Sequence, residues 1–259
     1  MPYANVNGIK FNYNIEGSGE PIVLITGFGA DLNFWKTTVP RLSDEFMVIT
    51  VDNRGSGSTL YSGTFSIDDM ADDIVFLLDN LSIKKAHILG WSMGSTIAQK
   101  IAINHPEKVK TLTVVSTYRY RPARAAYVLS AMVRAMEHGV SKDYLGYVIN
   151  GMSFTEEFFK TKEETAGDIK LPKISDATGL RAQLRAIDLS DTTDTTKRIN
   201  APTLLIHGVE DIMVEAEEGD AVADQIKDCK RFWIQNVGHS ISSSLYIEEF
   251  KKHVRIHSN

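Results

Sequence analysis

Apolar residues recur along this chain in two rhythms. Short unbroken runs, Ile22-Val23-Leu24-Ile25, Phe46 to Val51, Ala86 to Leu89, Lys110 to Val115 and Thr203 to Ile206, have the length and composition of strands buried on both faces. Longer stretches between them follow helical spacing. Ser66 to Leu81 sets Ile67, Met70, Ile74, Leu77, Leu78 and Leu81 on one face, as a half-buried helix requires. Further helices are predicted from Asp31, a capping residue, to about Leu42, from Ser92 to Asn104 before His105-Pro106, from Glu215 to Ile226, and from Leu245 to Arg255. Tyr3 to Asn14 reads as a hairpin turning at Asn7-Gly8, Glu16 to Pro21 as a loop, and Arg231 to Gln235 as the last strand.

Strands alternating with helices predict an α/β fold, a mostly parallel central sheet with helices on both faces. The alternation breaks between Thr117 and Thr196, where only helical patterns occur. The expectation is one α/β core formed by residues 1–117 and 192–259, with a helical cap, residues 118–191, inserted in it. The Asp/Thr-rich stretch Asp188 to Thr196 serves as the return linker.

Composition narrows the function. The 259 residues carry a net charge of -5. Lys and Arg are scattered with no basic block, so no nucleic-acid partner is expected. The apolar runs are far too short to span a bilayer, and Met1 to Lys10 lacks the pattern of a signal peptide. No membrane association and a cytoplasmic location follow as expectations. Cys229 is the single cysteine, so no internal disulfide can form. It reads as a small side chain tucked in before a strand. Nothing calls for a metal or a cofactor.

The chemistry gathers at three positions. Gly90-Trp91-Ser92-Met93-Gly94 matches G-x-S-x-G, a weak pattern alone, but here a buried strand ends at Gly90 and a helix begins after Ser92. Such a turn lifts a serine hydroxyl clear of the sheet and needs glycine on either side. The plain alternative is a serine that caps a helix. A serine needs a base to take its proton. His239, just after the last strand, is placed for this, whereas His105 ends a helix, His87 starts a strand, His207 precedes a glycine at a strand end, His138 lies in the inserted block, and His253 and His257 sit near the C-terminus. Asp211 follows the Thr203 to Ile206 strand and can orient that base, with Glu210 a neighbouring rival. The order Ser92, Asp211, His239 suits an α/β sheet of this kind.

With these residues in view, the chain resembles the α/β-hydrolase superfamily over almost its full length, most of all its small esterases, enol-lactonases and cofactor-free haloperoxidase-type enzymes. Gly27-Phe28-Gly29-Ala30-Asp31, Asp52-Asn53-Arg54-Gly55-Ser56-Gly57-Ser58, the Ser92 turn, Ala201 to Gly208 and Gly238-His239 carry the likeness. It implies an oxyanion hole made by the backbone N–H groups of Phe28 and Met93. Thr26 stands where many members have a histidine that braces this loop, which leaves the brace to be found. The inserted block would roof the site, with Met132, Met136 and Trp91 as candidate pocket residues. Its further apolar positions, such as Tyr127, Leu129, Tyr144, Phe154 and Phe158, divide between cap packing and pocket lining in a way that periodicity does not fix. Arg119, Arg121 and Arg124, near the cap entry, would suit an acidic substrate. The implied activity is hydrolysis of a small-molecule ester through an acyl-enzyme on Ser92, by a monomer or homodimer. Alternatives are a lactonase or C–C bond hydrolase with the same triad, and a triad-bearing receptor or regulator of small molecules.

Overall fold

The fold is described by a computed structural model over residues 2–61, 63–161 and 175–258. Its strands are β1 (Tyr3–Val6), β2 (Ile9–Glu16), β3 (Glu20–Ile25), β4 (Phe46–Val51), β5 (Ala86–Trp91), β6 (Val109–Val115), β7 (Thr203–Gly208) and β8 (Cys229–Ile234). They form one sheet in the order β1-β2-β4-β3-β5-β6-β7-β8. β1 and β2 run antiparallel, and every pair from β4 to β8 is parallel.

The helices are α1 (Val39–Leu42), α2 (Ile67–Asn80), α3 (Met93–Asn104), α4 (Ala123–Glu137), α5 (Lys142–Ser153), α6 (Glu156–Thr161), α7 (Ala177–Leu189), α8 (Ala216–Ala223) and α9 (Ile247–Ile256). Alternate residues of one strand feed two apolar layers. Val23 and Ile25 of β3 pack with α2 and α3, whereas Ile22 and Leu24 pack with α1 and α9, around Trp35 and Phe250. Burial on both faces is why β3 shows no polar alternation. Ser66 and Asp69 cap α2 reciprocally, each satisfying a backbone N–H of the other.

Some boundaries differ from the sequence expectation. Parallel pairing with β4 draws Glu20 and Pro21 into β3. Pairing with β6 carries β5 on to Trp91, and pairing with β7 starts β8 at Cys229. The helix predicted from Asp31 is two pieces: a 3-10 turn, Leu32–Thr37, which Asp31 caps, and then α1. Helix α8 stops at Ala223, short of Ile226. Asp188 and Leu189 belong to α7 and not to the linker.

The topology fixes where a site can form. β3 has β4 on one side and β5 on the other. The connections leaving β3 and β5 therefore diverge at the carboxyl ends of these two strands, opening a crevice there. Helices α4 to α7 all lie between β6 and β7 in the chain, within residues 118–191. Residues 162–174 of that block lie outside the described residues. Among the described residues, no helix is long and apolar enough to cross a membrane.

Candidate active site

Ser92 stands in the turn from β5 to α3 with φ 55° and ψ -121°, a left-handed conformation that costs a non-glycine residue about 1–3 kcal/mol. Its neighbours explain the two glycines. A Cβ on Gly90 would lie 2.1 Å from the Gly94 carbonyl oxygen, and one on Gly94 would lie 2.3 Å from that of Ile25. Ser92 holds the N-cap position of α3 yet makes no capping bond through its side chain. Its Oγ lies 2.9 Å from His239 Nε2 instead.

His239 is nearly inaccessible, and its Nδ1 is 2.7 Å from Asp211 Oδ2. The other Asp211 oxygen accepts the backbone N–H groups of Met213 and Val214, both at 2.9 Å. Burial alone would raise the Asp211 pKa. The charge on His239 and hydrogen bonds from His207 and His239 outweigh that and hold it well below the ordinary carboxylate range. His207 Nε2 is 3.0 Å from the Val214 carbonyl and 3.5 Å from Asp211 Oδ2, so its main hydrogen bond goes to Val214. Glu210 is solvent-exposed and takes no part.

Two further residues anchor the histidine from behind. Trp91 Nε1 donates to the His239 carbonyl at 3.1 Å, and Ser116 Oγ approaches the same oxygen at 3.3 Å. The Trp91 ring stacks on Phe34 with centroids 4.3 Å apart. Trp91 therefore positions His239 as well as facing a cavity.

The loop after β3 is held by Asn53, by Gln183 and, through the Gly29 carbonyl, by the N–H and hydroxyl of Ser175 at 3.2 and 2.9 Å. Asn53 Nδ2 donates to the Thr26 carbonyl at 2.8 Å and approaches Thr26 Oγ1 at 3.2 Å. Gln183, on α7 and fully buried, accepts the Gly29 N–H at 2.8 Å and donates to the Arg54 carbonyl at 2.9 Å. Arg54 is itself gripped by Asp73 through two hydrogen bonds, at 2.9 and 2.6 Å. Phe28, between Thr26 and Gly29, gives its N–H to no acceptor among the described residues. The Met93 N–H, on the first residue of α3, has no intrahelical acceptor either.

Two cavities meet at Phe28, which lines both. The smaller, about 30 Å³, also holds Ser92, His239, Met93, Leu129 and Met213. Arg121 alone of the three arginines lines it, and that side chain is also paired with Asp188 at 2.9 Å. Arg119 and Arg124 face Glu218 and Glu215 instead. The larger cavity, about 90 Å³, contains Trp91, Met132, Met136, Leu180 and Asn150. Thus the three candidate pocket residues converge, but on the cavity beside Ser92 and not on the one that holds it. Phe154 and Phe158 line a separate open groove that includes neither Ser92 nor His239. Tyr127 and Tyr144 point to solvent, 80% and 67% exposed. Burial pushes the Cys229 thiol up to about 11, away from the low values of activated thiols.

A buried carboxylate, an imidazole and a serine in one hydrogen-bonded chain, next to two spare backbone N–H groups, can carry out nucleophilic acyl transfer. The comparisons agree on the class. The sequence profile of the alpha/beta hydrolase fold matches residues 20–243, and the chain belongs to that family. A protein of Azorhizobium caulinodans named for carbamate hydrolysis is 36% identical over 117 residues, 45% of this chain and 44% of that protein. That likeness spans under half the relative's length. A 3-oxoadipate enol-lactonase of Acinetobacter baylyi is 27% identical over 84% of this chain and 82% of its own. The crystal structure of the enol-lactonase from Burkholderia xenovorans superposes with a TM-score of 0.83 at 25% identity, covering 99% of each chain.

Proposed function

We propose that the protein hydrolyses small carboxylic esters, lactones included, through an acyl-enzyme on Ser92. The observation that carries this is the hydrogen-bonded chain Asp211–His239–Ser92 opening onto a small, mostly apolar cavity. His239 Nε2 takes the Oγ proton as Oγ attacks the substrate carbonyl. Asp211 holds His239 with Nδ1 protonated and stabilises the imidazolium that forms. The N–H groups of Phe28 and Met93 receive the oxyanion. Collapse of the tetrahedral species expels the alcohol, which leaves with the proton from His239. Water then repeats the sequence and frees the carboxylic acid.

The lactone part rests on the two relatives named as enol-lactonases, whose substrates are cyclic esters. Helices α4 to α7 act as the cap: Leu129, on α4, and Leu184, on α7, both line the cavity that holds Ser92. A roof of this kind suits small molecules and not a lipid interface. A panel of acetate, butyrate and octanoate esters and five- and six-membered lactones, run beside Ser92→Ala, tests the reading. Turnover should favour the short acyl groups and vanish in the variant. Preference for long-chain triglycerides, or equal rates in Ser92→Ala, would overturn it.

A further inference from the structure

Asn150 is out of place by every packing criterion. It lies within α5, is only 7% exposed, and lines the larger cavity among Met132, Met136, Ile149 and Leu180. Among the described residues its Nδ2 has no hydrogen-bond partner. Asparagine is a poor helix former, and an unpaired amide in an apolar cavity carries the full cost of lost hydration. Leucine would be better by both measures. The polar neighbours do not relieve it. Ser153 Oγ is directed at Met213 Sδ, 3.5 Å away, and the Asn150 carbonyl is occupied by the Phe154 N–H. A buried donor left unpaired in this way calls for a partner that arrives from outside.

The cavity supplies the setting for that partner. It adjoins the reacting serine through Phe28 and Trp91 and has about three times the volume of the cavity that holds Ser92 (about 90 Å³ against about 30 Å³). The smaller space fits a short acyl group, so the larger takes the other arm of the ester. We infer that Asn150 determines specificity by turning its enclosed side-chain amide towards the cavity and donating a hydrogen bond from Nδ2 to a carbonyl oxygen carried on the alcohol arm of the substrate. The substrate class is then a short-chain ester whose alcohol portion is apolar apart from one internal ketone or amide carbonyl. This rests on the ester-hydrolase reading above and narrows it.

The test compares hexyl acetate with 4-oxohexyl and 5-oxohexyl acetate. These share chain length, and the ketone is too remote to activate the ester. In the unaltered protein at least one ketone ester should exceed hexyl acetate in kcat/KM by roughly tenfold, as expected when a buried donor gains its acceptor. Asn150→Leu should bring that ratio to about one. Asn150→Met, which keeps most of the bulk and has no donor, should do the same, and it carries the test if the leucine variant fails to fold. No preference for either ketone ester, or a preference that survives both variants, overturns the inference. Failure of the underlying reading looks different: no acetate is turned over faster than by Ser92→Ala. In that event the alcohols alone decide. Calorimetry on Ser92→Ala should find 5-oxohexan-1-ol or 4-oxohexan-1-ol bound roughly tenfold more tightly than hexan-1-ol, with the gap closed by adding Asn150→Leu. Equal binding of all three overturns the assignment.

Discussion

Gln183 is one of the residues that hold the Phe28 loop, and Gln183→Leu isolates its effect. The side chain has no solvent access and satisfies two backbone groups at once, the Gly29 N–H and the Arg54 carbonyl. Leucine has similar bulk but satisfies neither. A buried backbone group left unpaired costs about 1–3 kcal/mol, so two put the loss at about 2–6 kcal/mol before the apolar burial of leucine offsets a part. The catalytic effect comes from geometry. With the Gly29 N–H released and only its carbonyl still held, by Ser175, the preceding Phe28 N–H is less firmly kept where the oxyanion develops. Complete loss of such a donor costs about 10²–10³ in kcat, and a donor that is merely loosened should cost at least about tenfold. The interaction strengthens in the transition state, so KM should move by less than about threefold. The assays are kcat and KM on a short-chain acetate, with urea unfolding followed in parallel. A variant that is destabilised as calculated yet keeps its full kcat would show that the brace serves the fold alone, and the role given to Phe28 would be refuted.

Other consequences are open to direct measurement. Asp211→Asn removes the acceptor that fixes the His239 tautomer, and kcat should fall by about 10⁴ with the fold retained; a loss under tenfold would exclude Asp211 as the orienting acid. Trp91→Phe keeps the stacking on Phe34 but deletes the hydrogen bond to the His239 carbonyl, so kcat should fall severalfold at unchanged KM; an effect on KM alone would make Trp91 a pocket wall only. Met136→Ala enlarges the cavity beside Ser92 and should raise the relative rate on bulkier alcohol arms, whereas Met132→Ala should do so at an additional cost of about 2–5 kcal/mol because Met132 is buried; unchanged selectivity in both would place the larger cavity outside the substrate path. Burial pushes His87 and His253 down to about 4 from an ordinary value of 6.5. The unfolded chain therefore binds protons that the folded one resists, and stability should fall as pH drops from about 6.5 towards 4. A urea midpoint that stays flat across that range would contradict their burial as neutral imidazoles.

The parts of this molecule that were legible in the sequence are those whose signal is local. The unbroken run at Ile22 to Ile25 reports burial on both faces, and the fold supplies both layers. Ser92 is readable because its turn needs glycine at two positions and little else accommodates it. Asp211 and His239 follow from their places after strands. The brace on the Phe28 loop was not readable, because Gln183 meets Gly29 across 154 positions of sequence. Inside a helix it looks like any polar residue. Trp91 reads as a pocket residue, and only the geometry reveals that its indole nitrogen holds the His239 backbone. Helical periodicity likewise placed Tyr127 beside Leu129 in an apolar set. The first points to solvent and the second lines the cavity of Ser92. Asn150 left no mark at all, since an asparagine near a helix end is unremarkable until its surroundings prove apolar.

The central claim is that Ser92 is the nucleophile and His239 its base. Inactivation by a fluorophosphonate, with the adduct mapped by peptide mass spectrometry, tests it most directly. One equivalent should attach to Ser92, ester hydrolysis should disappear in step with labelling, and His239→Ala should slow the labelling by orders of magnitude. Label on another residue, or full hydrolysis from protein completely labelled at Ser92, would contradict the account.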